Sequence, residues 1–142
     1  LRAAREAAAG LGVADFVINA RTDVFLRQVG DPAGRLDQVL DRAQDYATAG
    51  ADVLFVPGLL DLRLLRDLVA ASPLPVNAMA APNGPTIAEL SAAGVRRVSL
   101  GAAIASAAYS LVQHATREVL EAGTYATLSA PAGHPDLDAR LG

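Results

Sequence analysis

Four short runs rich in β-branched residues alternate along this chain with longer segments of helical periodicity. The runs cover residues 15–22, 52–56, 76–80 and 97–100, and the main helical segments cover 35–49, 61–72, 86–93 and 102–122. This alternation is typical of successive βα units that build a parallel sheet. The glycine patterns of dinucleotide-binding and P-loop folds are both absent from the sequence. We therefore predict an α/β fold, with about four βα units forming half of a (β/α)8 TIM barrel.

Local signals at the helix ends support this assignment. Asp61 is placed to cap the second helix, and Thr86 with Glu89 has the spacing of a capping box before the third. The first ten residues also have a helical pattern, for which Gly10 is the predicted stop signal. Because Leu1 is not Met and lies inside this pattern, we expect further residues upstream. A four-stranded parallel sheet would also leave open edges that the other half of a barrel could cover.

The composition narrows the range of functions. The 142 residues are 52% hydrophobic and carry a formal net charge of −3, with no run of basic residues that would suit nucleic acid. No segment has the length of a transmembrane helix, and no secretory signal is present, so we expect a cytoplasmic protein. Cysteine is absent, and the two histidines, His114 and His134, have no partners at useful spacing. We therefore expect no metal site within this chain.

The segment Asn19-Ala-Arg-Thr-Asp23 places three polar side chains at the end of an otherwise apolar strand. Because side chains alternate across a strand, Asn19, Arg21 and Asp23 should share one face, while Phe16, Ile18 and Ala20 share the other. If the apolar set faces the helices, the polar set points into the mouth of the barrel, where such enzymes have their active sites. Arg21 could then bind a carboxylate or phosphonate. The alternative is a structural Arg–Asp pair that closes the strand.

Three further positions are candidates for a binding site. Asn77 is a polar residue within the third strand, so it should either face the mouth or bond a neighbouring strand. Gly58 and Gly101 follow strand ends, where glycine permits close approach of the backbone to a ligand, although a tight turn would explain either residue. Gly101 also precedes a helix, whose first N–H groups could receive an anion.

Several segments of the chain resemble those of a known family. The segments that carry the resemblance are FVINARTD, RAQDYATAGADVLFVPG, PLPVNAMAAPNGPTIAELSAAGVRRVSLG and EAGTY. They are similar to the C-terminal half of the isocitrate lyase/phosphoenolpyruvate mutase superfamily, most closely to bacterial members labelled carboxyvinyl-carboxyphosphonate phosphorylmutase. The resemblance covers about residues 2–125 and implies a half-barrel domain at 1–123, followed by a tail at 124–142.

The resemblance also implies the residues of the site. Arg21 matches the family's substrate-binding arginine and is our catalytic candidate, and Asn77 matches an asparagine that helps to hold the substrate, with Asn19, Asp23 and Gly58 as further binding candidates. The family uses Mg²⁺, whose ligands we expect in the missing N-terminal half. Gly58 stands where the lyases of the family have a glutamate, which puts cleavage of isocitrate or methylisocitrate in doubt.

The implied function is a Mg²⁺-dependent lyase, mutase or decarboxylase that acts on C–C or C–P bonds of a small 2-oxo acid. Relatives exchange their last helix between subunits, so we expect a homo-oligomer, and we expect the isolated chain to be inactive. One alternative is a phosphate-binding barrel, such as a sugar-phosphate isomerase or aldolase, with its anion near Gly84 and Gly101. Another is a non-catalytic half-barrel.

Overall fold

The computed structural model describes residues 1–129, in which five α-helices alternate with four parallel strands. The strands form one sheet in the order in which they occur along the chain, each paired with the next. The helices are α1 (Arg2–Gly10), α2 (Arg35–Thr48), α3 (Leu62–Ala71), α4 (Ile87–Ala92) and α5 (Ala103–Ala122), and the strands are β1 (Asn19–Arg21), β2 (Val53–Val56), β3 (Val76–Met79) and β4 (Arg97–Ser99). The predicted sequence of βα units is therefore confirmed.

One face of the sheet is apolar and buried. Its strand residues form a single core with side chains from α2, α3 and α4. The strand members of this core are Ala20, Leu54, Val56, Val76 and Ala78, and its helix members include Val39, Ala43, Leu65, Leu68 and Leu90. Burial of this apolar surface is the main favourable contribution to folding of the unit that ends at Leu100.

The opposite face, which we call the inner face, carries the polar side chains. The strand register places Arg21, Phe55, Asn77 and Arg97 in one row across the four strands. Neighbouring residues in register lie on the same side of a parallel sheet, so these four side chains share the inner face. In an eight-stranded barrel this face lines the interior.

The first strand is shorter than the predicted 15–22. Phe16 lies before β1 and is 51% exposed, whereas Ile18 and Ala20 are buried as expected. Side chains bind part of the backbone before β1: Asp52 accepts from the N–H of Ile18, and Arg5 donates to the carbonyl of Phe16. Arg5 and Asp52 also form an ion pair with each other. Pairing with β2 therefore begins only near Ile18.

The predicted caps of α3 and α4 are confirmed, whereas the stop signal of α1 is not. Asp61 accepts from two backbone N–H groups, and Thr86 with Glu89 completes the capping box. Gly10, predicted to stop α1, is instead its last helical residue. The left-handed residue is Gly12, with φ of +75°, and Val13 N–H donates back to the carbonyl of Ala8. This is a Schellman motif, in which the glycine lies beyond the cap residue.

The chain forms a second compact unit from Gly101 onward, which contains α5 and a 3-10 helix at Ala126–Ser129. Most side chains of α5 are exposed, including that of His114. Among residues 1–129, no helix has the length and apolar character needed to cross a membrane. His134 and most of the predicted tail lie outside the described residues. The division into a domain at 1–123 and a tail stays a prediction.

Glu118 joins the end of α5 to the 3-10 helix. Its carboxylate accepts from the hydroxyl of Thr124 at 2.6 Å and from the backbone N–H groups of Ala126 at 2.6 Å and Thr127 at 2.8 Å. Hydrogen bonds from Thr124 and Thr127, with the Ala126 N–H, lower the pKa of Glu118 from its usual 4.5 to about 2. The ionised carboxylate is thus the form that the folded chain favours.

We expect the 3-10 helix to lose protection in acid. Because the folded pKa is depressed, the stabilising contribution of Glu118 is present above pH 4.5 and is lost as the pH falls toward 2. Hydrogen-exchange protection factors at Ala126 and Thr127 should fall over this range. Glu118→Gln should remove the pH dependence, and Glu121→Gln, a change at an exposed glutamate of the same helix, should keep it. Equal acid sensitivity in both variants would contradict this role of Glu118.

Candidate active site

Arg21 is the last residue of β1 and the most exposed of the predicted site residues on that strand, with 49% of its side chain accessible. Its Nε donates to Oδ1 of Asp23 at 2.6 Å, which fixes one edge of the guanidinium. Within residues 1–129, its two terminal nitrogens donate to no other group. An arginine has five N–H donors, so four remain available. Arg21 can therefore bind a carboxylate with two parallel hydrogen bonds while Asp23 orients it.

Asp23 lies just beyond the strand and remains ionised. The hydrogen bond from Arg21 holds the pKa of this carboxyl below its usual range; desolvation opposes this shift, and the positive charges of Arg21 and Arg27 add to it. The ionised carboxylate accepts hydrogen bonds more strongly than the acid form does. The pair thus stays intact at neutral pH.

Two aromatic residues contact the Arg21 region from neighbouring elements. The guanidinium carbon lies 5.8 Å from the centre of the Phe55 ring, within the range of a cation–π contact. The hydroxyl of Tyr46, in α2, donates to the backbone carbonyl of Arg21 at 3.4 Å, a long hydrogen bond. Phe55 is opposite Arg21 in the register of β1 and β2. One side of the guanidinium is therefore close to an aromatic ring.

Asn77 is completely buried on the inner face. Its Nδ2 donates to Oγ of Ser99 at 3.0 Å, and the same hydroxyl lies 3.1 Å from Oδ1 of Asn77. The sequence left open whether Asn77 faces the mouth or bonds a neighbouring strand. In the structure the side chain lies on the inner face and also bonds the next strand, through a side chain rather than the backbone. Two strand spacings, about 10 Å, separate its backbone from that of Arg21.

Asn19 shares the inner face with Arg21 but lies at the start of β1 rather than at its end. Its Oδ1 is buried and accepts no hydrogen bond within the described chain. A buried acceptor without a donor costs roughly 1–3 kcal/mol. Asn19 is thus an unsatisfied polar group of the inner face, and within residues 1–129 no hydrogen bond joins its side chain to Arg21.

Gly58 follows β2 in a left-handed conformation, with φ of +86°. A Cβ atom at this position would lie 2.7 Å from Cα and 2.8 Å from N of Leu26, in the turn that follows Asp23. In folded proteins, Cβ atoms essentially never lie within 3.0 Å of such non-bonded backbone atoms. The close approach made by Gly58 is to the backbone of this turn, so a glutamate at position 58 would require the turn to move.

The described residues do not supply a metal-binding cluster. In residues 1–129, no three histidine, cysteine, aspartate or glutamate side chains lie together as a metal site would require. Asp23, the carboxylate among the candidate site residues, is bound to Arg21. A divalent cation at this site would therefore need ligands from outside the described chain.

Sequence reasoning missed three contributors to the site. They are Ser99, which bonds Asn77, and Phe55 and Tyr46, which lie close to Arg21. The alternation of β2 does place Phe55 on one face, but only the register identifies that face as the one that carries Arg21. No local signal indicates that Ser99 reaches Asn77, because the bond joins residues 22 positions apart.

The parallel sheet with strands in sequential order, and the helices that cover one of its faces, define part of a (β/α)8-barrel protein, with Arg21 at the end of a strand. The sequence model of the phosphoenolpyruvate phosphomutase family matches residues 1–120. The chain therefore belongs to this family, as the resemblance implied.

Solved structures agree with this assignment. A protein described as a phosphonomutase, from Burkholderia cenocepacia J2315, is 46% identical with a TM-score of 0.72, over 87% of this chain and 48% of its own. A lyase/mutase from the same organism is 33% identical with a TM-score of 0.81, over 99% and 50% of the two chains. Oxaloacetate acetylhydrolase in complex with the product oxalate is 26% identical with a TM-score of 0.76, over 99% and 47%.

Curated relatives show the same coverage. An uncharacterized protein found in two strains of Mycobacterium tuberculosis is 40% identical over 125 residues, which is 87% of this chain and 45% of the relative. The chain thus spans about half the length of the relatives that it matches. Its fold is the C-terminal half of a (β/α)8 barrel, as predicted.

Proposed function

We propose that this chain carries the substrate-binding half of the active site of a Mg²⁺-dependent lyase, mutase or decarboxylase that acts on C–C or C–P bonds of a small 2-oxo acid. The observation that carries the proposal is Arg21: Asp23 fixes its Nε, and within residues 1–129 its two terminal nitrogens donate to no group. This geometry suits the planar carboxylate of a 2-oxo acid, or a phosphonate. Arg21 binds and orients the substrate.

The alternative of a purely structural Arg–Asp pair is less well supported. Both side chains of the pair are well exposed, at 49% and 39%, and exposed ion pairs typically contribute about 0–1 kcal/mol to stability. Asp23 also uses only one edge of the guanidinium. An arrangement that stabilises the fold little and leaves four donors available is better explained by ligand binding.

The family's bond cleavage next to a 2-oxo group develops negative charge on the substrate. Fixed cations and hydrogen-bond donors lower the energy of such a species. Within this chain, Arg21 is the cation at the strand end. Asn77 is fully buried on the inner face, so we propose that it supports the site through Ser99 or contacts the substrate only after a local rearrangement.

The glycine at position 58 limits the choice of substrate. Lyases of the family have a glutamate at the matching position, and here a side chain would collide with the backbone of Leu26. We therefore propose that oxaloacetate or phosphonopyruvate, rather than isocitrate or methylisocitrate, resembles the natural substrate. The similarity to a phosphonomutase and to oxaloacetate acetylhydrolase is consistent with this choice.

Magnesium dependence is part of the proposal and follows from the family. We expect the ligands to come from the other half of the barrel, because the described residues hold no suitable cluster. We also propose a homo-oligomer, by the same resemblance, and a cytoplasmic location, as expected from the sequence. Family membership favours lyase or mutase chemistry over a sugar-phosphate isomerase or aldolase.

The test is a substrate screen on the protein that contains the complete barrel. We expect Mg²⁺-dependent turnover of oxaloacetate or phosphonopyruvate, and little or none of methylisocitrate. The magnesium-only reaction is the control, because Mg²⁺ alone promotes decarboxylation of oxaloacetate. Efficient cleavage of methylisocitrate would overturn the substrate choice. Inactivity toward all three acids would remove support for the proposed reaction.

Residues 1–142 alone should show no turnover of these acids above the magnesium-only control. Residues 1–129 hold no cluster of suitable metal ligands, and their four-stranded sheet does not close into a barrel. The measurement is product formation by the purified chain, with circular dichroism as a check that its helices form. Turnover by the chain alone would contradict the division of the site between two half-barrels.

A further inference from the structure

Arg97 is a charged residue of the inner face that has no role in the proposed site. It is the first residue of β4 and lies opposite Asn77 in the strand register. Its side chain is exposed. In the described part of the chain, the ion pairs join Arg5, Arg21 and Arg117 to carboxylates, and none involves Arg97.

Closure of the barrel would change the surroundings of this guanidinium. The matched structures are about twice as long as this chain, and inner positions of a (β/α)8 barrel form a packed interior. A charge transferred into such an interior without a partner costs several kcal/mol. In the complete barrel, Arg97 therefore needs an anion.

The position of Arg97 favours a protein carboxylate over a substrate. Barrel active sites lie at the C-terminal ends of the strands, whereas Arg97 begins its strand. Ser99, two residues nearer that end and about 6–7 Å further along, already bonds the buried Asn77. A small ligand that enters from the mouth would thus meet the bonded pair of Ser99 and Asn77 before it could reach Arg97.

We infer that, in the complete barrel, Arg97 forms a buried ion pair with an aspartate or glutamate at an inward-facing position of the other four strands. The covering surface is therefore acidic where it meets β4. The inference concerns assembly of the barrel and does not depend on the proposed reaction.

Arg97→Gln and Arg96→Gln in the protein with the complete barrel form a matched pair, because Arg96 is an exposed neighbour that precedes the strand. We expect Arg97→Gln to lower Tm by about 5–10 °C and Arg96→Gln by less than about 2 °C. Arg97→Lys, which keeps the charge, should lower Tm less than Arg97→Gln. The Tm of Arg97→Lys can be measured even if Arg97→Gln does not fold.

The partner is identified by changing each inward aspartate or glutamate of the other half to its amide, with and without Arg97→Lys. For one of them, the double variant should melt close to the lower single variant, because the second change removes nothing further. The inference would be overturned by equal Tm values for the Arg96 and Arg97 variants, by equal losses of Tm with lysine and glutamine at position 97, or by additive effects at every carboxylate. Loss of activity without a change in Tm would also overturn it, by placing Arg97 in the ligand site.

Discussion

Arg21→Lys should lower kcat/KM by about 100- to 1000-fold while Tm changes by less than about 2 °C, measured in the protein with the complete barrel. Lysine keeps the positive charge, but a single ammonium cannot donate to Asp23 and also present two parallel N–H groups to a carboxylate. The loss of kcat/KM should therefore be larger than expected for a substitution that conserves the charge. Stability should hardly change, because the Arg21–Asp23 pair is exposed.

Arg66→Lys is the matched control, since Arg66 is an exposed arginine of α3 that takes part in none of the ion pairs found in residues 1–129. It should retain full activity and Tm. Asp23→Asn should lower kcat/KM less than Arg21→Lys, because an amide oxygen can still accept from Nε. If Arg21→Lys kept near-normal kcat/KM while Tm fell by many degrees, Arg21 would be a structural residue and the proposed site would be wrong.

The polarity pattern of the sequence was enough to predict which residues of β1 share a face. Alternation alone separates Asn19 and Arg21 from Ile18 and Ala20, and the structure confirms this separation through their burial. The capping signals at Asp61 and in the fourth helix were also read correctly, because a cap depends on residues within one turn.

Features that depend on distant residues were not predictable. The first strand is short because Arg5 and Asp52, 47 positions apart, bind the backbone before it. The stop of α1 was misplaced by two residues because both Gly10 and Gly12 are plausible signals, and only the backbone conformation distinguishes them. The bond between Asn77 and Ser99 likewise depends on how β3 and β4 align.

Gly58→Ala should lower the free energy of unfolding by about 2–5 kcal/mol, the largest effect on stability that we expect from a single added methyl group. Two costs combine here: a left-handed backbone with a side chain costs roughly 1–2 kcal/mol, and an overpacked contact costs roughly 1–3 kcal/mol. The contact is with the backbone of Leu26, which cannot rotate away as a flexible side chain could. Urea titration of the protein with the complete barrel gives the measurement.

Gly12→Ala separates these two costs. Gly12 has a similar φ, +75°, but a Cβ there would meet nothing within 4 Å, so only the backbone cost of about 1–2 kcal/mol applies. Relief of the collision at position 58 would displace the turn that begins next to Asp23, so Gly58→Ala should also raise KM, whereas Gly12→Ala should not. If the two variants lost equal stability and kept equal KM, movement of the turn would cost no measurable free energy. A glutamate at position 58 would then be sterically acceptable, and cleavage of isocitrate-type substrates would return as a candidate activity.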